Sequence, residues 1–206
     1  MSGIKTHIQG YGVKALRSRH LKIRELKQFH TPSFHGFRSW PSSWLLMDFI
    51  KYKGLMIGSR VLDIGCGWGL CGIYCAKNYE SLVTGFDIDP EVFPYLLLHA
   101  DINEVKINTV RQGFDELSEE QLMNFDVIIG ADICFWDSMV DCLKGLILRA
   151  IDAGIQSIFI ADPGRSPFEK LGRYFVKSEK GEVMDWSVDH PYQIQGRILR
   201  IDSSTY

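Results

Sequence analysis

Long uncharged segments are missing from the 206-residue sequence. The longest stretch without Asp, Glu, Lys or Arg runs from Ile64 to Ala76 and has thirteen residues, four of them glycines. A membrane helix needs about 18 apolar residues, so the sequence predicts no transmembrane helix. No continuous apolar run follows the early Lys5, as a secretory signal would require. We therefore expect a cytoplasmic protein without a membrane partner.

Cysteine motifs for metal binding are missing as well. The cysteines form no Cys-x-x-Cys pair and have no histidine nearby at zinc-finger spacing. There are five of them, an odd number: Cys66, Cys71, Cys75, Cys134 and Cys142. Because a free cysteine packs like a small apolar residue, we expect all five to be buried in a reducing compartment, and we expect no metal site.

Internal repeats and low-complexity tracts are absent too. With 46% hydrophobic and 23% charged residues, the composition is typical of a globular protein and excludes disordered or collagen-like chains. At about 150 residues per domain, the length predicts one ordinary domain with an N-terminal extension.

The charge is unevenly distributed along the chain. Residues 1–38 contain eight Lys or Arg and a single acid, Glu25, which gives them a net charge of +7. The other 168 residues have 15 basic and 24 acidic side chains, a net charge of −9. The basic segment is either a docking strip for an acidic partner or nucleic acid, or a solvated edge. We favour the solvated edge because aromatic residues do not alternate with the basic ones, as stacking on single-stranded nucleic acid requires. We divide the chain into a basic extension, 1–38, and one domain, 39–206.

Short β-branched runs alternate with helix-length segments from residue 60 onward, which is typical of a parallel sheet with crossover helices. The predicted strands cover residues 60–64, 82–87, 107–111, 125–131 and 156–161. The predicted helices cover about 69–78, 90–104, 117–123, 137–153 and 166–176. Two further extended runs, 182–189 and 192–202, predict an antiparallel hairpin at the edge of the sheet. The predicted fold is α/β, a Rossmann-like doubly wound sheet of five parallel strands and a C-terminal hairpin.

A glycine-rich loop follows the first of these strands. Gly65, Gly67 and Gly69 separate the strand from a helix, so a ligand can approach the backbone N–H groups at the positive end of the helix dipole. About 20 residues later, Asp87 lies at the tip of the next strand, where a carboxylate can accept both hydroxyls of a ribose. Alone, the glycines could form a tight turn and Asp87 could cap the helix after Pro90. Together they predict a cofactor that contains a nucleoside.

The glycines also fit a second register, Gly67-x-Gly69-x-x-Gly72, which is the dinucleotide fingerprint of nicotinamide-dependent reductases. In that register the strand would continue through Gly65 and would bury Asp63 near its middle, which is unfavourable for an unpaired carboxylate. If the loop starts at Gly65, Asp63 lies at the carboxyl end of the strand and can face a cationic group of the ligand. The sequence also has no Tyr-x-x-x-Lys pair for a reductase.

The order of acid, Gly-x-Gly-x-Gly and second acid resembles the seven-stranded (class I) S-adenosylmethionine-dependent methyltransferases. The resemblance implies that Asp63 helps to hold the methionine amine of S-adenosyl-L-methionine and that Asp87 holds the ribose. It also implies that the backbone at Gly65 and Gly67 lies along the methionine part of the cofactor.

In that family the adenine contacts follow the third strand, which matches Phe114 and Asp115 here. Phe114 would pack on the adenine ring and Asp115 would accept from its exocyclic amine. Alternatively, Phe114 is a core aromatic and Asp115 caps the helix that follows.

The fourth strand ends in Gly-Ala131-Asp132-x-x-Phe135-Trp136. This segment resembles the Gly-Ala-Asp-x-x-Tyr pattern of the family-16 protein methyltransferases, many of which modify a lysine on one protein partner. The resemblance places Ala131 beside the cofactor, and Asp132 would position the acceptor amine and accept or relay its proton. Alternatively, Asp132 is a loop carboxylate bonded to backbone N–H groups. Phe135 replaces the family's tyrosine and removes a hydroxyl that could orient the nucleophile.

Two shorter segments extend this resemblance. Trp40-Pro41 matches a Trp-Pro element whose tryptophan packs beside the cofactor, and residues 162–165, Asp-Pro-Gly-Arg, are similar to a branch that includes methylases of an electron-transfer flavoprotein subunit. Trp40, Phe135 and Trp136 would wall the acceptor pocket and attract a cation through their ring faces, unless they are core aromatics.

The function that this resemblance implies is methylation of a protein side chain, a lysine-like amine, with a protein as the partner. One alternative is a methyltransferase of a small amine or of nucleic acid, although the Pro-Pro motif of base-methylating relatives is missing after Asp132. The other alternative is a binding module or a nicotinamide-dependent reductase.

Overall fold

A computed structural model describes residues 6–33, 35–178 and 180–202. It contains a seven-stranded sheet and a separate two-stranded hairpin. The strands are β1 (His7–Gly10), β2 (Val13–Leu16), β3 (Arg60–Ile64), β4 (Leu82–Asp87), β5 (Asn108–Arg111), β6 (Val127–Ala131), β7 (Ser157–Asp162), β8 (Glu182–Val188) and β9 (Ile194–Asp202). The sheet order is β5-β4-β3-β6-β7-β9-β8, in which β3 to β7 are parallel and β9 is antiparallel to both β7 and β8. The predicted seven-stranded α/β fold is confirmed.

The helices join these strands in the expected alternation. They are α1 (Leu21–Phe29), α2 (Ser42–Lys53), α3 (Leu70–Tyr79), α4 (Phe93–Ile102), α5 (Glu119–Leu122), α6 (Ser138–Asp152) and α7 (Ser166–Lys177), with short 3₁₀ turns at Pro90–Val92 and Phe114–Glu116. None of the helices in the described ranges is long and apolar enough to cross a bilayer.

Local capping explains where two predicted helices differ from the observed ones. The helix predicted over 90–104 begins as a 3₁₀ turn, because the Asp89 carboxylate accepts the N–H of Glu91 and fixes the first turn there. The helix predicted over 117–123 is shorter, because Ser118 and Gln121 form a reciprocal capping box that starts α5 at Glu119.

Alternate residues of each central strand enter the apolar core on opposite faces of the sheet. In β3, Val61 packs with α2 and α3, whereas Leu62 and Ile64 pack with α6 and α7 on the other face. In β6, Val127 packs on the α2 and α3 face and Ile128 packs on the α6 and α7 face. Both faces of the sheet are covered, which is why these strands are continuous apolar runs in the sequence.

The sequence analysis missed three elements before residue 60. Hairpin β1–β2 places Val13 and Ala15 in the core beside α3, and α1 buries Ile23. Helix α2 lies against β7, β8 and β9 and buries the apolar side chains Trp44, Leu45, Leu46, Met47, Phe49 and Ile50. The domain boundary at residue 38 stays a prediction, and Lys5, which contributes to the basic charge, lies outside the described residues.

Candidate functional site

Two adjoining cavities lie at the carboxyl ends of the parallel strands, where ligands bind in open α/β sheets. The first cavity is lined by the glycine loop and the segment before α2: His35, Gly36, Arg38, Ser39, Trp40, Ser43, residues 65–70, Asp87, Ala131, Asp132 and Phe135. The second cavity, of about 360 Å³, is lined by His35, Gly65, Asp87, Ile88, residues 112–116, Asp132, Ile133, Phe135, Trp136, Met139 and Cys142. All the residues assigned to the site from the sequence line one or both cavities, except Asp63.

The glycine loop has the backbone conformation that its sequence predicts. Gly65, Gly67 and Gly69 have φ values of +58°, +50° and +70°, a region that residues with a Cβ rarely adopt. A Cβ on Gly65 would lie 2.7 Å from Ile133 Cγ2, whereas a Cβ on Gly67 would meet no atom within 4 Å. Strand β3 ends at Ile64, directly before Gly65. This boundary favours the register that starts at Gly65 over the dinucleotide register.

Asp87 lies between the two cavities and is held by the loop. Its carboxylate accepts the Gly67 N–H at 3.1 Å and the Asp89 N–H at 3.0 Å. Burial raises the pKa of the Asp87 carboxyl. The cap of the following turn is Asp89 instead. The alternative in which Asp87 is only a helix cap is therefore wrong, and its side chain borders the space where a ligand would lie.

Asp63 differs from its prediction, in which it was free to face a cationic ligand group. Its side chain is buried and lines neither cavity. One oxygen accepts the N–H of Gly72 in α3 at 3.0 Å. Burial raises the pKa of Asp63 to about 8, and the Asp87 carboxylate adds to the increase. Asp63 joins β3 to α3 beneath the loop, and its contact with a ligand amine stays a prediction.

The segment after β5 forms one wall of the second cavity. Phe114 comes close to the loop, because a Cβ on Gly65 would lie 3.7 Å from its Cζ. Asp115 accepts the thiol of Cys142 at 2.6 Å. Burial and this bond raise the pKa of Cys142 to about 12, so the thiol remains the donor. Cys142 is only half-buried because of its place in the cavity wall, which corrects the expectation that all five cysteines are buried.

Apolar residues of this cavity were not identified from the sequence. Ile88, Ile133 and Met139 complete its lining around Phe114. Ile88 follows Asp87 directly at the end of β4 and is 56% exposed. The position of an apolar residue between Asp87 and Asp89 at a strand tip would have been a usable signal, whereas Met139 reaches the cavity only through the packing of α6.

Asp132 is held by an arginine that the sequence analysis did not connect to it. The residue has a φ of +58° and its side chain is buried. One carboxylate oxygen lies 2.7 Å from Arg165 Nη2, and the other accepts the Ser42 N–H at 3.2 Å. Arg165 also pairs with the buried Asp162 at 2.7 Å. Asp132 thus has a charged partner in addition to the backbone N–H of the alternative interpretation.

The aromatic residues of the pocket wall have ring faces that are already covered. The guanidinium of Arg165 lies 4.3 Å from the centroid of Phe135, and the His35 ring stacks on Phe135 at 4.5 Å. The guanidinium of Arg38 lies 3.9 Å from the centroid of Trp40. Attraction of a substrate cation to the faces of Phe135 and Trp40 stays a prediction, and an arginine of the protein already contacts each of these rings. Trp136 remains 47% exposed.

His35 is a site residue that the sequence analysis missed. It lines both cavities and has a φ of +58°. Its carbonyl accepts the indole N–H of Trp40 at 2.9 Å. Within the described ranges, its ring nitrogens form no hydrogen bond. No sequence motif surrounds His35, so only the fold brings it to the site.

The segment that carries His35 is tied to the cofactor side of the sheet. We call residues 30–33 and 35–36 the strap. Tyr95 donates its hydroxyl to the His30 carbonyl at 2.7 Å, and Asp89 accepts the N–H and the hydroxyl of Ser33 at 2.5 and 2.9 Å. Trp68, in the glycine loop, donates its indole N–H to the Gly36 carbonyl at 2.9 Å. The loop and the strap are therefore parts of one bonded structure.

Comparisons with known proteins agree with this geometry. A family model described as "Methyltransferase domain" matches residues 61–148, which include the glycine loop, Asp87 and Asp132. S-adenosyl-L-methionine is the methyl donor that this match implies.

Two curated relatives are named as protein methyltransferases. One is the electron transfer flavoprotein beta subunit lysine methyltransferase of Xenopus laevis, 28% identical over 130 residues, which are 63% of this chain and 52% of that protein. The other is the histidine protein methyltransferase 1 homolog of Dictyostelium discoideum, 34% identical over 108 residues, which are 48% of this chain and 34% of that protein. The chain spans about half or less of the length of these relatives.

Solved structures share the fold at low sequence identity. A human methyltransferase 10 domain containing protein has a TM-score of 0.60 at 12% identity and matches 80% of this chain and 84% of its own. A precorrin-6y C5,15-methyltransferase from Geobacter metallireducens has a TM-score of 0.59 at 11% identity and matches 86% of this chain and 95% of its own.

Proposed function

We propose that this chain, whose residues 61–148 form a methyltransferase domain, transfers a methyl group from S-adenosyl-L-methionine to a nitrogen of a protein side chain. A lysine-like amine is the first candidate for the acceptor. The observation that carries the proposal is the continuity of the two cavities, because Asp87, Asp132, His35 and Phe135 line both of them. A donor site at the glycine loop therefore opens directly onto an acceptor site at the end of β6.

The residues present fit S-adenosyl-L-methionine. Asp87 would accept the ribose hydroxyls, and the open side of Gly67 leaves space for the methionine part along the backbone. The apolar walls at Ile88, Phe114 and Ile133 suit an adenine ring. A cavity of about 360 Å³ is within the range of small-molecule sites.

Alignment of the two reactants is the main task of the protein in this chemistry. When bound, the sulfonium supplies an electrophilic methyl carbon: its S–C bond breaks as the acceptor nitrogen forms the new C–N bond, and the sulfur keeps the electron pair. The acceptor nitrogen must bring a lone pair, so it must be neutral. Trp40 and Phe135 line the first cavity together with Asp132 and would exclude water from the reacting atoms, which favours displacement in the aligned geometry.

Two residues are placed to handle the acceptor nitrogen and its proton. Asp132 is fixed by Arg165 and Ser42, which suits a carboxylate that orients an N–H group. His35 offers an imidazole whose ring nitrogens have no partner in the described structure, and in its neutral form it would take the proton that the methylated nitrogen releases. The printed names of the two relatives, a lysine and a histidine methyltransferase, support a side-chain nitrogen as the acceptor.

Transfer of a labelled methyl group tests this proposal. The protein is incubated with S-adenosyl-L-methionine carrying a labelled methyl group and a cell lysate, and the label is located by separation of protein, RNA and small molecules, followed by mass spectrometry. We expect label on a side-chain nitrogen of one or a few proteins, and less label with Asp87→Ala when S-adenosyl-L-methionine is below saturation. Label found only in RNA or in small molecules would contradict the acceptor class, and an absence of transfer would contradict the activity.

A further inference from the structure

The basic side chains of the N-terminal segment are exposed and lack acidic partners. All seven Lys and Arg side chains in residues 6–38 are exposed, and none of them takes part in an ion pair within the described structure. Of the 15 basic side chains after residue 38, seven are paired with an acid. Acidic side chains of the protein therefore do not neutralise the basic charge of this segment. Its positive potential can attract an acidic partner.

A groove separates hairpin β1–β2 from the loop between β8 and β9. We call it the entrance groove; its lining residues are His7, Ile8, Gln9, Arg17, His190, Pro191 and Tyr192. Its walls are held together at the base. A Cβ on Gly10 would lie 3.2 Å from the Trp44 ring and 3.3 Å from Pro191, so a larger residue would require these rings to shift. Tyr11 donates its hydroxyl to the His190 carbonyl at 3.0 Å.

The entrance groove lies next to the start of α2, which borders the acceptor side of the cavities. A Cβ on Gly10, at the base of the groove, would lie 3.2 Å from the ring of Trp44 in α2, and Ser42, two residues before Trp44, donates its N–H to Asp132 at 3.2 Å. Arg38 lines the first cavity and covers the Trp40 ring. Arg17 thus lines the groove and Arg38 lines the first cavity, and both are exposed and have no acidic partner in the described structure.

We propose that the entrance groove binds an acidic segment of the acceptor protein, whose carboxylates contact Arg17 and Arg38. This inference rests on the proposed function and names the chemistry of the partner. Guanidinium groups bind carboxylates in a bidentate geometry, and this contact would set the register of the segment so that the acceptor nitrogen reaches Asp132. A short acidic segment fits the observations better than nucleic acid, because the rest of the chain has a net charge of −9 and would repel an extended polyanion.

Binding of short labelled peptides tests this proposal on the full chain. The probes are a fluorescein-labelled peptide with one lysine flanked by glutamates, the same peptide with glutamines in place of the glutamates, and a single-stranded RNA of similar length. Fluorescence anisotropy is measured at low and at physiological salt with S-adenosylhomocysteine present. The variants are Arg17→Glu, Arg17→Lys and, as the matched control, Lys106→Glu, which makes the same charge change just before β5 at the opposite end of the parallel strands.

We expect the glutamate peptide to bind more tightly than the glutamine peptide, with an affinity that decreases with salt. Arg17→Glu should weaken its binding at least about tenfold, Arg17→Lys should weaken it less because the charge is kept while the bidentate contact is lost, and Lys106→Glu should leave it unchanged. Binding of S-adenosylhomocysteine should be equal in all variants, which separates failure of the groove from failure of the proposed function. Unchanged peptide binding by a folded Arg17→Glu variant would overturn the proposal, and so would tighter binding of the RNA than of the acidic peptide.

Discussion

At the scale of single residues, Asp132 shows how far a motif can predict a role. Its place after the apolar strand β6 predicted a carboxylate at the ligand edge of the sheet, and it does line both cavities. Its ion pair with Arg165 was not predicted, because Arg165 follows β7 and meets Asp132 only when the two parallel strands are paired. A partner contributed by another strand changes what a carboxylate can do, since it fixes the orientation of the carboxylate.

The role of Asp132 can be separated from that of its ion pair. Asp132→Asn keeps the shape and an oxygen that can accept the Ser42 N–H, but it removes the charge that orients the acceptor. We expect binding of S-adenosyl-L-methionine to be retained and single-turnover methyl transfer to decrease by about 10²-fold or more.

The matched control for this change is Asp162→Asn, which removes the other carboxylate that pairs with Arg165 but lines neither cavity. We expect the control to lose thermal stability but to keep most of its transfer rate. Equal losses of rate in the two variants would show that Asp132 serves only to hold Arg165.

At the scale of secondary structure elements, the strap depends on residues that are distant in the sequence. Its anchors come from the start of α3 and from the turn and helix after β4. His99 in α4 extends this connection to β2: its Nε2 accepts the Leu16 N–H at 3.0 Å, and its Nδ1 lies 2.7 Å from the Tyr95 carbonyl. Burial lowers the pKa of His99 to about 4, so the ring is neutral at physiological pH and can make both bonds. Leu16 of the hairpin, Trp68 of the glycine loop and Tyr95, which holds the strap, thus lie in one buried cluster.

Removal of the Tyr95 hydroxyl tests whether the strap helps to hold the cofactor. Tyr95→Phe removes the bond to the His30 carbonyl, and we expect faster amide exchange in the strap and severalfold weaker binding of S-adenosyl-L-methionine. Loss of the bond should cost about 1 kcal/mol of stability. The measurements are hydrogen exchange followed by mass spectrometry and calorimetric titration.

Tyr79→Phe is the control for this variant. The Tyr79 hydroxyl donates to the Ile50 carbonyl at 3.1 Å, which is the same kind of bond at a place outside both cavities. It should lose a similar free energy of unfolding without any change in cofactor affinity. If both variants bind the cofactor equally well, the strap has no part in holding it.

Elements with a regular pattern were predictable from the sequence, and elements defined by contacts were not. The central strands β3, β6 and β7 have β-branched apolar runs because both of their faces are buried, and the predicted bounds of β3 to β7 agree with the observed ones to within two residues. Helix α2 was missed because most of its surface is buried, so its sequence has little polar periodicity. Hairpin β1–β2 has only four residues in each strand and takes its place from packing on α3 and α4.

At the scale of the whole molecule, the order of the strands determines where the residues of the candidate site lie. The order of the strands reverses at β3, which lies between β4 and β6, so the segments that follow these three parallel strands meet at one edge of the sheet. The glycine loop, Asp87 and Asp132 come from those segments. The identification of a nucleoside site from the sequence used only two of them, and the structure adds the strap and the pair Arg165–Asp132 from outside that pattern.

The choice of cofactor is the central claim, and calorimetric titration tests it most directly. S-adenosyl-L-methionine, S-adenosylhomocysteine, NAD and NADP are titrated into the wild-type protein and into Asp87→Ala. We predict binding of both sulfur ligands in preference to either nicotinamide nucleotide. Binding of the sulfur ligands should be about tenfold to a hundredfold weaker in Asp87→Ala, because two ribose hydroxyls lose their acceptor. Tighter binding of NAD or NADP, or equal affinity in a folded Asp87→Ala variant, would contradict the account.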